Sequence, residues 1–503
     1  MCNNKANGQV VNSGRQQTQN FRHDGRRALV VPPRRGRVMG QRGVEYRALP
    51  AILDELMAPR TLAWLVLFAL VAALGLRLHS ALHPAEVDTL YREQAVYQQL
   101  RGIIHERYVT DITDTEEKKL FYGAMDGMAS ALDPHSRFFP PKEYGDFKVD
   151  TTGELEGVGI EIDANNPRGL AVLTPLQDTP AWKGGVLPGD LILKIDGVST
   201  KEMKLEEASH RVKGKVGTQV VLTLLHEGQT VPVDITLTRA VIEIRSVPVA
   251  EILGKEWVSA GGPKIGYVEV LKFQQKTAAD LDAALKKLEQ QGLQALVLDL
   301  RQNHGGLLES AQDVADLFLK DGKIVSVITR VRDTGRTEER IYYAHEEGTR
   351  PDCPLAVLID SQSASASEIV AGALQDRERA VLVGDRSFGK FSVQEVIPVS
   401  LSKWGEAALK LTIAKYKTPK GPCLDGQGIT PDYLVPSSPE QQRALLLDRQ
   451  QRKLKDNNPR GDQSAGAVPP AVGPDGKPQE PFVDAQLKKA VEVLLPKLQS
   501  AGN

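Results

Sequence analysis

The sequence has little cysteine, almost no net charge and no metal or nucleotide motif. Its three cysteines, Cys2, Cys353 and Cys423, cannot build a disulfide framework, so stability must come from packed cores. The formal net charge of −1 argues against a protein that binds nucleic acid over its whole length. No cluster of His, Cys and Asp has zinc spacing, and no lysine-bearing loop could cradle a phosphate. We therefore predict no metal, no cofactor and no nucleic-acid partner.

The length and the patterning indicate several folded domains. At 503 residues the chain predicts two to four, and its 41% apolar and 25% charged residues are an ordinary globular balance. A helical pattern over 85–150 precedes short β-like runs with glycine turns over 152–245 and strand–turn–helix repetition over 246–436. A polar linker is predicted over 437–480 and a final amphipathic helix over 481–503. The predicted fold class is multidomain α+β, with a helical N-terminal unit, a β-rich module and a layered α/β core.

Basic residues are concentrated before the longest apolar run. Residues 1–60 hold 11 Lys and Arg against 4 Asp and Glu, and residues 1–56 are predicted to be a disordered basic head. The uncharged run at 61–76 would span about 24 Å as a helix, a little less than the ~30 Å of a hydrocarbon core. This pattern predicts a signal anchor or signal peptide within 57–80, with a cytoplasmic N-terminus and an extracytoplasmic, periplasmic body.

Two alternatives concern this segment. The residues at 78–81 form a poor cleavage site, which favours an uncleaved anchor that holds the protein at the membrane through 61–76. Met57 is an alternative start, and from Met57 the apolar run has the proportions of a signal peptide. A buried core helix is the remaining interpretation of the run.

A serine-rich turn is the first candidate for chemistry. The segment SQSASASE at 361–368 follows a predicted buried strand at 355–359 and opens a helix. A serine at such a turn could be a nucleophile, because its hydroxyl lies near backbone N–H groups and the positive end of the helix. N-capping is the alternative, since serine is favoured there in any case.

Two other segments could supply a base and an oxyanion hole. Lys390 could act as a general base if burial or a neighbouring cation lowered its pKa, and Gln394 could orient the amine. Gly305 and Gly306 could turn backbone N–H groups towards an oxyanion, and His304 beside them could be the base of a Ser–His pair. A solvated lysine, an exposed glutamine and a plain turn are the ordinary alternatives.

The β-rich module contains a Gly-x-Gly segment that could bind a peptide carboxylate. Gly157, Val158, Gly159 and Ile160 enter a strand, where backbone N–H groups could face such a group. A dinucleotide loop is excluded because no third glycine at the required spacing opens a helix.

Together these motifs resemble the C-terminal processing peptidases, or tail-specific serine proteases, which carry a PDZ domain. The resemblance rests on SASASEIVAGALQD at 363–376 and FGK at 388–390, and it covers about 90–435. Further pieces occur in the order of that family: LDPHS at 132–136, GVGI at 157–160, PGD at 188–190, IDG at 195–197, DLR at 299–301, Asn303 with Gly305 and Gly306, TP at 418–419 and GITPD at 428–432.

The resemblance implies a PDZ domain over 152–245 and a layered, crotonase/ClpP-like catalytic core over 246–436. It implies a serine endopeptidase that cleaves protein C-terminal regions and holds the substrate tail on the PDZ module at 157–160. The implied roles are Ser365 as nucleophile, Lys390 as general base, Gln394 as its orienting residue, Ala366 with Gly305 or Gly306 as oxyanion hole, and Glu368 as a supporting residue.

Two residues depart from the family pattern. Phe391 stands where that family usually has glycine, and it could crowd the cleft or shield the lysine from water. His304 stands where proline is usual. The alternative function is a catalytically inactive PDZ-bearing adaptor that binds tails without cutting them, and a homo-oligomer or an activating adaptor partner is compatible with the sequence.

Overall fold

The computed structural model describes residues 84–350, 352–421, 423–457 and 482–500. The predicted basic head and the predicted anchor at 57–80, with its apolar run at 61–76, lie outside these residues. Within the described ranges, no helix is both long enough and apolar enough to cross a membrane.

The chain divides into two compact units, residues 1–120 and 121–503. In the described part of the first unit lie helix α1 (Pro84–Arg107) and the first turns of helix α2 (Asp114–Ser130). A capping box starts α2, because the Thr113 N–H donates to Glu116 at 2.7 Å and the Glu116 N–H donates to the Thr113 hydroxyl at 3.4 Å. Glu117 ties the two helices together by accepting hydrogen bonds from Arg101 and His105.

The second unit begins with the rest of α2, strand β1 (Arg137–Phe139) and helix α3 (Pro141–Thr152). The prediction of a purely helical segment over 85–150 is therefore incomplete. β1 pairs antiparallel with a strand of the core, and its residues Phe138 and Phe139 are buried. Three residues are too short a run for alternation of polar and apolar side chains to reveal a strand.

The β-rich module forms one sheet around its own apolar core. Its sheet has the order β3-β4-β5-β7-β8 with β6 beside β5, and a separate ribbon pairs β2 with β9. Alternate residues of β7, Val220, Leu222 and Leu224, are fully buried, as expected for a strand with one face on a core. The elements are β2 (Glu154–Gly157), β3 (Ile160–Asp163), β4 (Ala171–Pro175), α4 (Pro180–Lys183), β5 (Leu191–Ile195), β6 (Val198–Ser199), α5 (Leu205–Val212), β7 (Gln219–Leu225), β8 (Val233–Thr238) and β9 (Ala240–Glu243).

The core is a layered α/β structure built on a six-stranded sheet of order β10-β11-β12-β15-β16-β19. All pairs in it are parallel except β10 with β11. Strands β12 and β15 are buried along their whole length, which explains their continuous apolar sequence. The elements are β10 (Val249–Ile252), β11 (Ile265–Glu269), α6 (Thr277–Gln290), β12 (Ala295–Asp299), α7 (Leu308–Asp316), β15 (Leu355–Ile359), α8 (Ala366–Asp376), β16 (Val381–Gly384) and β19 (Tyr433–Leu434).

A second sheet packs against this layer. It has the order β1-β18-β13-β14, and β17 also pairs with β18. Val325 of β13 and Tyr416 of β18 share one apolar cluster with the helices α6, α7 and α8. Its remaining elements are β13 (Lys323–Arg330), β14 (Thr337–Tyr343), β17 (Ser392–Leu401) and β18 (Gly405–Lys417).

Two helices complete the core. Helix α10 (Ala485–Ser500) covers the other face of the six-stranded sheet with the buried residues Leu487, Ala490, Val491 and Leu494. The prediction of a linker over 437–480 differs from the structure, because Pro439–Asp456 forms helix α9. Its polar composition concealed it, although it buries Leu445 and Leu454 and also Arg449, which is held in ion pairs.

Candidate active site

Three neighbouring parallel strands bring the predicted site residues together. The glycine segment at 303–306 follows β12, Ser365 follows β15, and Lys390 follows β16. Because the carboxyl ends of parallel strands lie at one edge of the sheet, segments far apart in sequence meet there.

Ser365 occupies a strained turn directly before α8. Its backbone angles are φ 55° and ψ −111°, a conformation that non-glycine residues rarely adopt. The side chain is half-buried, and the Ser365 N–H donates to Glu368 Oε2 at 2.8 Å. A serine on a strained strand-to-helix turn is typical of a nucleophile. Ser365 is at the same time the N-cap of α8 and forms a capping box with Glu368, so the structure retains the capping role as well.

Glu368 connects the Ser365 turn to the Lys390 loop. Its carboxylate is fully buried, and burial raises its pKa, although four hydrogen-bond donors oppose this effect. Oε2 accepts from the N–H of Ser365 at 2.8 Å and from that of Lys390 at 2.9 Å. Oε1 accepts from the Gly389 N–H at 2.7 Å and from the Ser387 hydroxyl. A single carboxylate therefore fixes the backbone of both segments.

Lys390 has the electrostatic properties of a base. Burial, and then the positive charge of Lys410, lower the pKa of Lys390 to about 8, while Glu368 and Asp133 act in the opposite direction. No residue in the described ranges accepts a hydrogen bond from its Nζ. At neutral pH a larger fraction of Lys390 is therefore in the neutral amine form than for a solvated lysine.

Gln394 lies opposite Thr412 in the β17–β18 pair. Its Nε2 donates to the hydroxyls of Ser392 at 2.9 Å and Thr412 at 3.1 Å. Thr412 in turn donates to Asp133 at 3.2 Å, so its hydroxyl must accept from Gln394. The direction of this hydrogen bond determines the orientation of the Gln394 side-chain amide. Its NH₂ group faces Thr412, and its Oε1 is left to accept a hydrogen bond from another donor.

The turn at 133–136 supports this arrangement, although the sequence analysis assigned it no role in the site. The Ser136 hydroxyl donates to Asp133 Oδ2 at 2.7 Å and accepts from the Thr412 N–H at 3.0 Å. Asp133 also accepts from the N–H groups of His135 and Ser136 at 2.8 and 2.9 Å. The family motif in this turn was the only sequence signal for it, and it gave no indication that the turn contacts β18.

The two candidate glycines differ in the availability of their N–H groups. The Gly305 N–H donates to Asn303 Oδ1 at 2.9 Å, so it is already occupied. Gly306 forms a parallel bridge with Phe273 that uses the Gly305 carbonyl and the Leu307 N–H. The N–H of Gly306 finds no acceptor among the described residues, and a bridged residue points its own N–H away from the bridge.

Gly305 instead allows the two segments to pack closely. At this position φ is +102°, and a Cβ would lie 2.8 Å from Ala364 O and 3.0 Å from Ala366 N. Ala366 N has no acceptor within the described residues either. His304 is exposed, and no hydrogen bond to Ser365 is found for it in the described part of the chain. The geometry favours Ala366 and Gly306 as donors. Within the described residues the Ser365 side chain has no hydrogen bond to His304 or to Lys390, and the two candidate bases differ in that His304 is exposed whereas Lys390 is partly buried.

The Gly-x-Gly segment of the β-rich module lies between β2 and β3. The carbonyls of Val158 and Gly159 accept from Ala181 N at 2.9 Å and Leu176 N at 2.8 Å, and the Val158 side chain is buried. Gly157 ends β2 and Ile160 begins β3. In the described structure no acceptor is found for the N–H groups of Val158 and Gly159, and both residues are buried.

A buried cluster of charges lies below the glycine segment. We call it the scaffold cluster, and its members are Tyr267, Glu269, Asp299, Arg301, Arg449 and Asp484. Arg301 contacts Asp299 and Asp484, each at 2.7 Å, and Arg449 contacts Asp299 at 3.0 Å. Within the described residues, no group of three His, Cys, Asp or Glu side chains could hold a metal ion.

Comparison with known proteins gives two family matches. The model for peptidase family S41 matches residues 264–435, and the model for the PDZ domain matches residues 172–225. A carboxy-terminal-processing protease of Bartonella bacilliformis is 38% identical over 425 residues, which cover 82% of this chain and 91% of that protein. A carboxyl-terminal-processing protease of Synechocystis is 38% identical over 351 residues, which cover 69% of this chain and 78% of that protein. A solved structure, photosystem II D1 C-terminal processing protease, is 29% identical, with a TM-score of 0.39 over 73% of this chain and 92% of that chain.

Proposed function

This chain belongs to peptidase family S41 and to its carboxy-terminal-processing proteases, and we propose that it is a serine endopeptidase with a Ser365–Lys390 dyad. Its substrates are proteins that it recognises and cleaves near their C-termini. The observation that carries the dyad is the double contact of Glu368 Oε2, which holds the N–H groups of Ser365 and Lys390 on one oxygen. The lowered pKa of Lys390, about 8, supports the same assignment.

The reaction is acyl transfer through a covalent intermediate. The neutral Lys390 amine takes the proton of Ser365 Oγ while Oγ attacks the carbonyl carbon of the scissile peptide bond. The N–H groups of Ala366 and Gly306 stabilise the oxyanion that forms. The Lys390 ammonium then protonates the leaving amine, and an acyl-enzyme remains on Ser365. Water attacks this ester while its proton passes to Lys390. The bond from the acyl carbon to Ser365 Oγ then breaks, and Lys390 returns the proton to Oγ, which restores the serine hydroxyl and the neutral amine.

Gln394 orients the amine in this proposal. Because Thr412 and Ser392 take both contacts of its NH₂ group, the Oε1 atom is left to accept from the Lys390 ammonium or amine. Glu368 holds the backbone of the dyad and takes no part in proton transfer, since its carboxylate is saturated with donors.

The PDZ domain binds the substrate tail in this proposal. The N–H groups of Val158 and Gly159 would bind a terminal carboxylate, and a tail in an extended conformation can add to the edge of a PDZ sheet. We place the body outside the cytoplasm, anchored through 61–76, on the strength of the charge asymmetry in the sequence. Fusion of a reporter enzyme that is active only outside the cytoplasm to the C-terminus tests this location.

The test of the activity is incubation of the full chain with an unstructured protein that has an apolar C-terminal tail. The wild type should shorten the tail, whereas Ser365→Ala and Lys390→Ala should not. Lys320→Ala is the matched control, because Lys320 is an exposed lysine paired with Asp352 and should leave cleavage unchanged. Labelling of Ser365 by a serine-reactive phosphonate gives a second readout that needs no substrate tail.

Two results would overturn the proposal. If the wild type binds the tail, leaves it intact and takes no label, the chain is a binding adaptor. If cleavage survives Lys390→Ala and is lost in His304→Ala, the base is a histidine and the dyad is wrong.

A further inference from the structure

The buried phenol of Tyr416 contacts both halves of the proposed dyad. Tyr416 lies on β18 and is 1% exposed. Its Oη is 2.9 Å from the carbonyl oxygen of Ser365 and 2.7 Å from that of Lys390. Carbonyl oxygens only accept hydrogen bonds, so the phenol must be the donor to both and shares its single proton between them.

The surroundings keep this phenol protonated. Burial raises the pKa of Tyr416 well above its ordinary value, and the carboxylate of Glu368 adds to the effect. The phenol therefore remains protonated, and able to donate, at neutral pH.

Phe391 holds the ring of Tyr416 in place. The two rings stack with centroids 4.6 Å apart at an interplanar angle of 29°, and Phe391 is fully buried. The Tyr416 N–H also donates to the Phe391 carbonyl at 3.1 Å. The Phe391 ring therefore lies in the interior. Crowding of the cleft and shielding of Lys390 from water stay predictions for this residue.

Tyr416 and Glu368 act on complementary backbone groups. Glu368 accepts from the N–H groups of Ser365 and Lys390, and Tyr416 donates to the carbonyls of the same two residues. The backbones of the nucleophile and the base are thus bridged twice, by one acceptor and by one donor. Neither segment can shift without stretching one of the bridges.

We propose that Tyr416 is a positioning residue of the reaction, which sets the separation and orientation of Ser365 and Lys390 through their carbonyls. Phe391 fixes the plane of its ring. This inference rests on the proposed dyad. A displacement of about 1 Å between reacting groups can cost about 10²-fold in rate, so a bond remote from the substrate can control turnover.

The test is Tyr416→Phe in the full chain, which removes the hydroxyl and keeps the stacked ring. We expect kcat to fall by about 10- to 100-fold. KM should stay within about twofold of wild type, because the substrate-binding groups are untouched. The rate of Ser365 labelling by the phosphonate should fall with kcat.

Tyr267→Phe is the matched control. Its hydroxyl is equally buried and donates to Asp299 Oδ2 at 2.7 Å in the scaffold cluster. This variant should unfold at a lower urea concentration than wild type while its kcat stays the same. The comparison with Tyr416→Phe distinguishes an effect on dyad geometry from the general cost of losing one buried hydrogen bond.

Phe391→Leu keeps the phenol and removes the stacked ring, so a smaller fall in kcat with unchanged KM is expected. This variant serves if Tyr416→Phe does not fold. The proposal is overturned if Tyr416→Phe keeps wild-type kcat, or if Tyr416→Phe is unfolded and Phe391→Leu is fully active. Activity of the wild type and its absence in Ser365→Ala show that the protease assignment holds in either case.

Discussion

Asp299 ends strand β12 and Glu368 lies in the first turn of helix α8; both carboxylates are buried, yet different partners surround them. Burial alone would raise the pKa of Asp299, but the guanidinium groups of Arg301 and Arg449 bring it below its ordinary value. Glu368 forms no ion pair among the described residues and is bound only by hydroxyl and N–H donors, so burial raises its pKa. Burial acts on Lys390 in the same sense, because it lowers the pKa of the amine and so favours its neutral form.

This difference distinguishes the scaffold cluster, which stabilises the fold, from the groups around Ser365, which could carry out the reaction. In the scaffold cluster each buried carboxylate has an arginine partner. The arginines bring the pKa of Asp299 below its ordinary value, although burial still raises that of Glu269. Around Ser365 burial is not compensated, and the ionisable groups lie closer to their neutral forms. Groups in this second condition can exchange protons at physiological pH, which is what a base requires.

The strongest test of this contrast is removal of the uncompensated amine. Lys390→Ala should lower kcat/KM by about 10⁴-fold or more, as expected for the loss of a proton-transfer group. The unfolding midpoint should stay the same or rise, because burial of an amine opposes folding. Steady-state kinetics and urea denaturation measure both. If the unfolding midpoint falls and kcat/KM stays within tenfold of wild type, Lys390 has a structural role and is not the base.

The opposite result is expected in the scaffold cluster. Arg301→Met leaves Asp299 and Asp484 without their shared partner, so the free energy of unfolding should fall by about 3–5 kcal/mol. Lys320→Ala breaks an exposed ion pair with Asp352 and should cost less than about 1 kcal/mol. Equal losses of stability in the two variants would contradict the assignment of a compensated buried network.

A smaller effect is expected where the turn at 133–136 supports the site. Thr412→Val removes the hydroxyl that accepts from Gln394 and donates to Asp133. We expect kcat to fall by about 10-fold, which corresponds to the free energy of about one lost hydrogen bond. Combination with Gln394→Ala should lower kcat no further than Gln394→Ala alone. Additive losses in this double-mutant cycle would show that the two residues act independently.

The smallest expected effect is a shift in pH dependence. Lys410 is the neighbouring cation that lowers the pKa of Lys390, after burial itself. Lys410→Met removes its charge, so the pKa of Lys390 should rise and the acid limb of kcat/KM should move to higher pH. Lys415→Met, on the same strand, is the control and should leave the limb in place. An acid limb that stays in place in Lys410→Met would exclude the charge of Lys410 as a cause.

The sequence carried the local signals of this site and its family. The predicted family resemblance and the multidomain fold class with a PDZ region are confirmed. Buried strands at 295–299 and 355–359 were evident from their unbroken apolar runs, because both faces of a parallel sheet are covered. Sequence adjacency to strand ends therefore pointed to the serine-rich segment at 361–368, to Lys390 and to the glycine pair, and the family resemblance singled out Ser365.

Contacts between distant segments could not be predicted. Ser136 and Thr412 are 276 residues apart, and neither composition nor period relates them. The role of Tyr416 depends on the stacking of Phe391 and on two carbonyls that only the folded chain brings together. Helix α9 was missed because most of its residues are polar: it buries Leu445 and Leu454, but between them it also buries the charged Arg449 against acidic residues, which interrupts the apolar period.

The hydrogen bonding of individual backbone N–H groups could not be predicted from the sequence either. The sequence left Gly305 and Gly306 equivalent as oxyanion donors. The Asn303 side chain distinguishes them, because its Oδ1 takes the N–H of Gly305 at 2.9 Å. A side-chain contact of this kind depends on rotamers that no spacing rule gives.

The central claim is that a partly buried Lys390 amine activates Ser365. The most direct measurement is the pre-steady-state rate of Ser365 acylation by an activated ester, followed over pH in wild type, Lys390→Ala and His304→Ala. In wild type and His304→Ala, the rate should rise with pH and level off through an apparent pKa near 8, and Lys390→Ala should lose both the rate and its pH dependence. A wild-type profile that survives in Lys390→Ala would contradict the claim.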